Sequence, residues 1–186
     1  MDNNQYLDKI SEALEGEFGS KRQRDVEKRI DWIINKIEGG TVLDVGCSQG
    51  ALEFFLIERN PNIQAVVGVD AATESIAYAN SALSTFAIKD KIVFLNQDFL
   101  TMEEDVKFDY IVIAEVLEHL NEPEIFLRKA SHLLKQDGKL IVTVPFGIND
   151  FPDHKRTYYF SELYKQVSLV VPVTEYEFLG NWIGIV

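Results

Sequence analysis

At 186 residues, 46% hydrophobic and 26% charged, the chain is sized for one ordinary globular domain with a full core and is too short for two. A formal charge of −12 argues against nucleic acid as partner, because long duplexes are held mainly by lysine and arginine against phosphate. A single cysteine, Cys47, excludes an internal disulfide framework, and no apolar run approaches the roughly 20 residues of a membrane span.

The Met1–Gln5 start lacks the basic and apolar stretches of a secretory signal, so the protein is expected in the cytoplasm, away from membrane. Tyr6, Leu7, Ile10, Ala13 and Leu14 recur at helical spacing, and Gly16 and Gly19 end that segment. Ser20 has the form of an N-cap for a second helix with apolar positions Val26, Ile30, Ile33, Ile34 and Ile37, stopped by Gly39-Gly40. Lys21, Arg22, Arg24, Lys28 and Arg29, with Asp25 and Glu27 among them, read as the solvated face of that helix rather than as an anion-binding patch.

From Thr41 short apolar runs alternate with helical patterns. Strands are expected over Thr41–Val45, Gln64–Val69, Lys91–Asn96, Phe108–Ala114 and Lys139–Val144. Between them, a helix from Ala51 is ended by Asn60-Pro61, and Thr73 is placed to cap another with Ile76, Ala79, Leu83 and Phe86 inward. Asn121-Glu122-Pro123-Glu124 has the capping-box form for a helix burying Phe126, Leu127, Ala130 and Leu134. Such alternation calls for a parallel sheet with helices on both faces. Beyond it, Pro145–Tyr159 reads as a long loop, Ser161–Val167 as a helix, and Val173–Phe178 with Trp182–Val186 as a strand pair. The chain stops on Gly184-Ile185-Val186 in mid-pattern, so a domain cut from something longer is one expectation.

The loop Asp44-Val45-Gly46-Cys47-Ser48-Gln49-Gly50 lies between a strand and a helix, where open parallel sheets bind ligands. As a dinucleotide fingerprint it lacks the middle glycine of G-x-G-x-x-G. As a G-x-S-x-G elbow with Ser48 as nucleophile it lacks the earlier strand and loop that would complete an oxyanion hole. The third reading fits further along the chain. D-x-G-C-x-x-G resembles motif I of the class I S-adenosylmethionine-dependent methyltransferases, and the resemblance runs in register from Thr41 to Val144. Asp70 ends the second strand, Asn96-Gln97-Asp98-Phe99 closes the third, Phe108–Glu115 matches the fourth-strand motif, and Leu133–Leu140 keeps an LLK-x-x-G-x-L run.

That resemblance implies a Rossmann-like, doubly wound α/β fold: a mostly parallel sheet, a C-terminal antiparallel strand pair and two N-terminal helices. It is expected as a single domain, with a helical cap over 1–40, a cofactor-binding core over 41–144 and an acceptor-side segment over 145–186. It implies S-adenosyl-L-methionine held by Asp44, Gly46, Cys47, Ser48, Gly50, Asp70, Ala71, Asp98, Phe99 and Glu115. An acid at position 70 accepts both ribose hydroxyls, and one at position 98 accepts from the adenine amino group.

After the fourth strand, Glu115-Val116-Leu117-Glu118-His119-Leu120, if helical, puts Glu115, Glu118 and His119 on one face. The bland reading is a partly solvated helix start with Glu118 and His119 paired. The run is similar to that of ubiquinone-biosynthesis O-methyltransferases, and also to the E-x-x-E-H of small-RNA 3′-end methyltransferases. The latter resemblance implies a divalent metal, manganese or magnesium, on Glu115, Glu118, His119 and a downstream His154, although the stretch around His154 departs from the RNA enzymes' pattern. Without a metal, His119 or His154 is the expected general base, with Glu115 the third candidate catalytic group. The fourth strand lacks the Asp/Asn-Pro-Pro-aromatic motif of base-amine methyltransferases. Phe146, Tyr158 and Tyr159 are candidates for an aromatic acceptor wall, with core packing an equal explanation of the two tyrosines, and Val144–Gly147 with Asp153–Arg156 is similar to methyltransferase modules associated with bacterial surface glycans. The expected reaction is methyl transfer to a hydroxyl of a small molecule or saccharide. Its rivals are a metal-dependent RNA 3′-end 2′-O-methyltransferase and a non-catalytic S-adenosylmethionine-binding regulatory module.

Overall fold

Uninterrupted apolar runs make strands whose alternate side chains enter two different cores, and this chain uses both faces of its central strands. The computed structural model describes residues 21–86, 89–103, 105–148 and 151–186, and side chains from residue 26 on. The helix expected over Tyr6–Leu14, the Ser20 cap and the side chains of Lys21, Arg22 and Arg24 lie outside the described residues. Within them the elements run α1 (Lys21–Lys36), β1 (Gly40–Val45), α2 (Ala51–Arg59), β2 (Ile63–Asp70), α3 (Thr73–Ser84), β3 (Ile92–Asn96), β4 (Phe108–Ala114), α4 (Pro123–Leu133), β5 (Leu134–Pro145), α5 (Phe160–Ser168), β6 (Tyr176–Leu179) and β7 (Trp182–Ile185).

The seven strands form one sheet in the order β3-β2-β1-β4-β5-β7-β6. β1 to β5 pair in parallel, and β7 runs antiparallel to both of its neighbours. The chain builds outward from β1 through β2 to β3, then returns to place β4 on the other side of β1. This reversal opens a crevice at the carboxyl ends of β1 and β4. On one face, α1, α2 and α3 pack over Val42, Val66, Val112 and Ile141. On the other, α4 and α5 bring Leu127, Ala130, Leu133, Leu163 and Val167 onto Leu43, Val45, Ile111, Ile113 and Val142. Among the described residues no helix is long and apolar enough to cross a membrane.

Three local expectations need correction. Thr73 lies inside α3 rather than capping it; the cap is Ala72, and the Thr73 hydroxyl instead donates to Asn96 Oδ1 at 2.9 Å. The Asn121–Glu124 capping box does not form. Glu122 takes the cap position without a side-chain bond, while Glu124 accepts from Gln166 Nε2 at 2.9 Å, a tertiary bond that outcompetes the local one. Leu134 opens β5 instead of closing α4, because helix leads into strand without an intervening loop.

Candidate active site

The loop after β1 folds back on the neighbouring strand. Gly46 N and Cys47 N both donate to Val69 O, at 2.8 and 3.2 Å. Gly46 sits at φ 78°, and a Cβ there would stand 2.5 Å from Val116 Cγ2, so both backbone angle and space require glycine. Ser48 also has positive φ, at 47°, and its N–H donates to Asp70 Oδ2 at 2.9 Å. The other carboxylate oxygen of Asp70 accepts from Ala72 N at 2.7 Å. Asp70 thereby fastens the loop after β1 to the one after β2 and keeps further lone pairs for a ligand. Gln97 N donates to Asp70 O at 3.0 Å, which draws in the end of β3. Asp98 caps the next 3₁₀ turn, accepting from Leu100 N at 2.8 Å.

These strand ends enclose a cavity of about 330 Å³. Of the expected cofactor contacts, Asp44, Gly46, Cys47 and Ser48 line its β1 side, Asp70 and Ala71 its β2 side, Asp98 and Phe99 its β3 side, and Glu115 its β4 side. Gly50 stands outside the lining. It opens α2 at φ 83°, with Phe94 against it. Burial, with Glu53, Asp44 and Asp70 nearby, pushes the Cys47 thiol far above the usual thiol range, so it stays protonated and serves as neutral wall. Asp44, Asp70, Asp98 and Glu115 give the cavity an acidic lining suited to a ligand carrying positive charge.

Glu115 departs from expectation. The segment after β4 is not a regular helix. Glu115 has φ 59°, and only Leu117–His119 forms a 3₁₀ turn, so Glu115 does not share a helical face with Glu118 and His119. Its Oε1 lies 2.9 Å from Arg29 Nη1, its Oε2 accepts from Trp182 Nε1, and Thr143 Oγ1 is 3.4 Å from Oε1. Arg29 is 2% exposed, with its guanidinium 5.0 Å from the Trp182 ring centre. The solvated-face reading thus fails for Arg29, which the pattern of α1 points inward beside Ile30 and Ile33. The sequence signal was available: a charge among apolar residues at core spacing.

Glu118, His119 and His154 do converge. One ligand atom from each lies within 4.8 Å of the others. Glu118 is buried, and its carbonyl accepts from Lys155 N at 2.8 Å, which clips the loop after β5 onto this turn. His119 lines the cavity, its Nδ1 lies 3.2 Å from Asp153 O, and its ring meets that of His154 edge-on at 4.9 Å. Of the candidate acceptor wall, Tyr158 belongs to the core: it is 1% exposed, and its hydroxyl donates to Gln166 Oε1 at 3.1 Å. Burial raises its phenol well above the ordinary range. Phe146 and Tyr159 are exposed, ring centres 6.3 Å apart.

A family model described as a methyltransferase domain matches residues 36–170. The chain is 33% identical over 118 residues to a ubiquinone biosynthesis O-methyltransferase of Xylella fastidiosa (62% of this chain, 46% of that one). It is 30% identical over 105 residues to a probable (S)-tetrahydroprotoberberine N-methyltransferase 2 of Papaver bracteatum (56% of this chain, 29% of that one). It spans less than half the length of these curated relatives. A solved structure of coclaurine N-methyltransferase, bound to N-methylheliamine and S-adenosylhomocysteine, superposes with a TM-score of 0.71 at 20% identity (87% of this chain, 53% of that one), a likeness of fold.

Proposed function

The chain belongs to the methyltransferase-domain family, and from that premise we propose that it moves the methyl group of S-adenosylmethionine onto a hydroxyl of a small-molecule acceptor. One observation carries the cofactor half of this reading: Asp70 braces the Gly46–Gly50 loop at the head of an acidic cavity set where the strand order reverses. In this reading Asp70 offers its remaining lone pairs to the ribose hydroxyls, and Asp98 accepts from the adenine amino group. The acidic lining favours the sulfonium over an anionic ligand, and Arg29 behind Glu115 keeps the four carboxylates from repelling one another unchecked.

Methyl transfer asks mainly for an in-line approach of nucleophile to the sulfonium methyl. A hydroxyl must also lose its proton. His119 is the base we assign, since it lines the cavity. With Nδ1 donating to Asp153 O, Nε2 becomes its basic nitrogen. His154 orients His119 from outside, and Phe146 with Tyr159 provides the acceptor wall. The relatives' names include both O- and N-methyltransferases, so amines are the competing acceptor class.

A second reading has an observation of its own. Glu118, His119 and His154 have the donor chemistry and spacing to hold a divalent ion such as manganese or magnesium. Such an ion would lower the pKa of a bound hydroxyl and so ease the deprotonation that otherwise rests on His119 alone. Glu115, turned to Arg29, is assigned to the cofactor side rather than to this group. The deciding experiment is transfer of labelled methyl from S-adenosylmethionine to panels of phenols, sugars and amines, with and without chelator. Binding of S-adenosylhomocysteine without turnover on any acceptor would favour a regulatory module instead.

A further inference from the structure

We propose that Lys129 is a positioning residue for the nucleobase end of the cavity, and that the preference for adenine over other bases depends on it. The proposal rests on the reading of the cavity as an S-adenosylmethionine site with Asp98 at the adenine amino group. Lys129, on α4, is only 9% exposed. Its Nζ donates to Leu100 O at 2.9 Å and to Met102 O at 2.6 Å, and lies 5.6 Å from the centre of the Phe99 ring. An ammonium taken out of water is costly unless its protons find acceptors. For packing alone, methionine or leucine would fill the same space without that cost. Here two carbonyls and the face of an aromatic ring receive the charge.

What Lys129 holds is a piece of the cavity wall. Phe99–Thr101 is a single 3₁₀ turn after β3, too short to keep its shape by its own bonds. Asp98 caps its start by accepting from Leu100 N at 2.8 Å, and Met102 N closes it on Phe99 O at 3.3 Å. A turn of this length leaves its last carbonyls without partners of its own, and Lys129 supplies donors to two of them. Asp98, Leu100 and Thr101 are exposed, so packing reaches the turn mainly through Phe99 and Met102, which are buried.

The same face of α4 completes the wall. Phe126, one helical turn before Lys129, lines the cavity, and its ring centre is 5.4 Å from that of Phe99, which lines it too. Lys129 stands behind this lining rather than in it. A carboxylate reads an amino group only when held within about 0.5 Å of its place, and the turn that carries Asp98 is anchored from behind by Lys129.

Calorimetry on the whole chain with S-adenosylhomocysteine and S-inosylhomocysteine tests the proposal. The second ligand presents a carbonyl oxygen to Asp98 where adenine presents an amino group. Wild type should prefer S-adenosylhomocysteine at least about 10-fold, the scale of one hydrogen bond to a charged group. Lys129→Met should cut that preference to below about 3-fold. Asp98→Ala should do the same, and Lys129→Met added to it should change the preference no further, since both act through one turn. Should Lys129→Met fail to fold, Lys129→Gln, which keeps one donor, is read by the same criterion. A lysine that only supports the fold would lower the melting midpoint and leave the base preference of the folded protein intact. That result, or an effect that adds to Asp98→Ala, overturns the proposal and leaves the assigned activity standing. Wild type that binds the two ligands alike overturns it through Asp98. Wild type that binds neither overturns it together with the cofactor assignment.

Discussion

Removing the Asp70 carboxylate tests the cofactor site and the architecture of its loop together. Asp70→Ala deletes the acceptor of two backbone amides, Ser48 N and Ala72 N, and the group assigned to the ribose. Hydrogen bonds to a charged group contribute about 1.5–3 kcal/mol, so the ligand contact alone should weaken S-adenosylhomocysteine binding roughly 10- to 150-fold. The two amides are half-buried and can turn to water, so their share of stability falls at the low end, about 1–3 kcal/mol together. For a chain of this length that lowers the midpoint by roughly 3–10 °C. Asp70→Asn keeps one acceptor oxygen and should fall between, in melting and in affinity. Isothermal calorimetry with S-adenosylhomocysteine and a thermal melt of the apoprotein separate the two effects. A lowered midpoint with unchanged affinity would reduce Asp70 to a loop brace. Weakened affinity with an unchanged midpoint would refute the bracing argument.

Gly50→Ala should destabilise by about 2–5 kcal/mol, since alanine at φ 83° is strained and its Cβ would stand 2.3 Å from Phe94 Cζ. Adding Phe94→Leu should restore part of the loss in denaturant titration, and no recovery would count against that clash. Lys135, with Thr41, holds the Asp109 carboxyl down at about 2 from its usual 3.8. Because the folded value is the lower one, this stabilisation is fully present above about pH 4 and is lost as pH falls towards 2. Asp109→Asn should therefore flatten the acid limb of the stability curve in that window, and an unaltered limb would contradict the assignment. If Glu118, His119 and His154 hold a divalent ion, manganese should bind the wild type and not Glu118→Gln or His154→Ala, with S-adenosylhomocysteine affinity unchanged in both. Methyl transfer indifferent to chelator, with no manganese uptake, would leave His119 as the base.

The central sheet was legible because a buried parallel strand writes itself as an uninterrupted apolar run. Phe108–Ala114 matches the structure to the residue, and the other core strands differ mainly at their ends. The cofactor-side residues were legible for a related reason. A doubly wound fold puts them at successive strand ends, so chain order maps onto position around the cavity. What escaped were contacts between distant elements. Nothing local to Arg29 announces Glu115 or Trp182, 86 and 153 positions further along, and Arg29 was grouped with the charged face of α1 although the apolar register of that helix was read correctly. Glu115 was misplaced because a three-and-four spacing signals a shared face only where the backbone is helical, and here a left-handed residue breaks it. Between acceptor wall and core, the sequence left Tyr158 undecided, because its burial depends on α5 folding over it and supplying Gln166.

The Arg29–Glu115 pair bears on how small this protein can be made. The family match begins at residue 36 and ends at 170, which invites trimming to those limits. A chain cut there would lose the guanidinium that faces Glu115 from one side and the Trp182 indole that donates to it from the other. A half-buried carboxylate stripped of its counterion and its indole donor is left to the cavity water alone, which costs stability and disturbs the cavity wall. The shortest fragment worth expressing therefore reaches from before Arg29 to beyond Trp182. The matched segment is therefore not the autonomous unit: α1 and β7, which flank it, meet at Glu115 in the cavity wall.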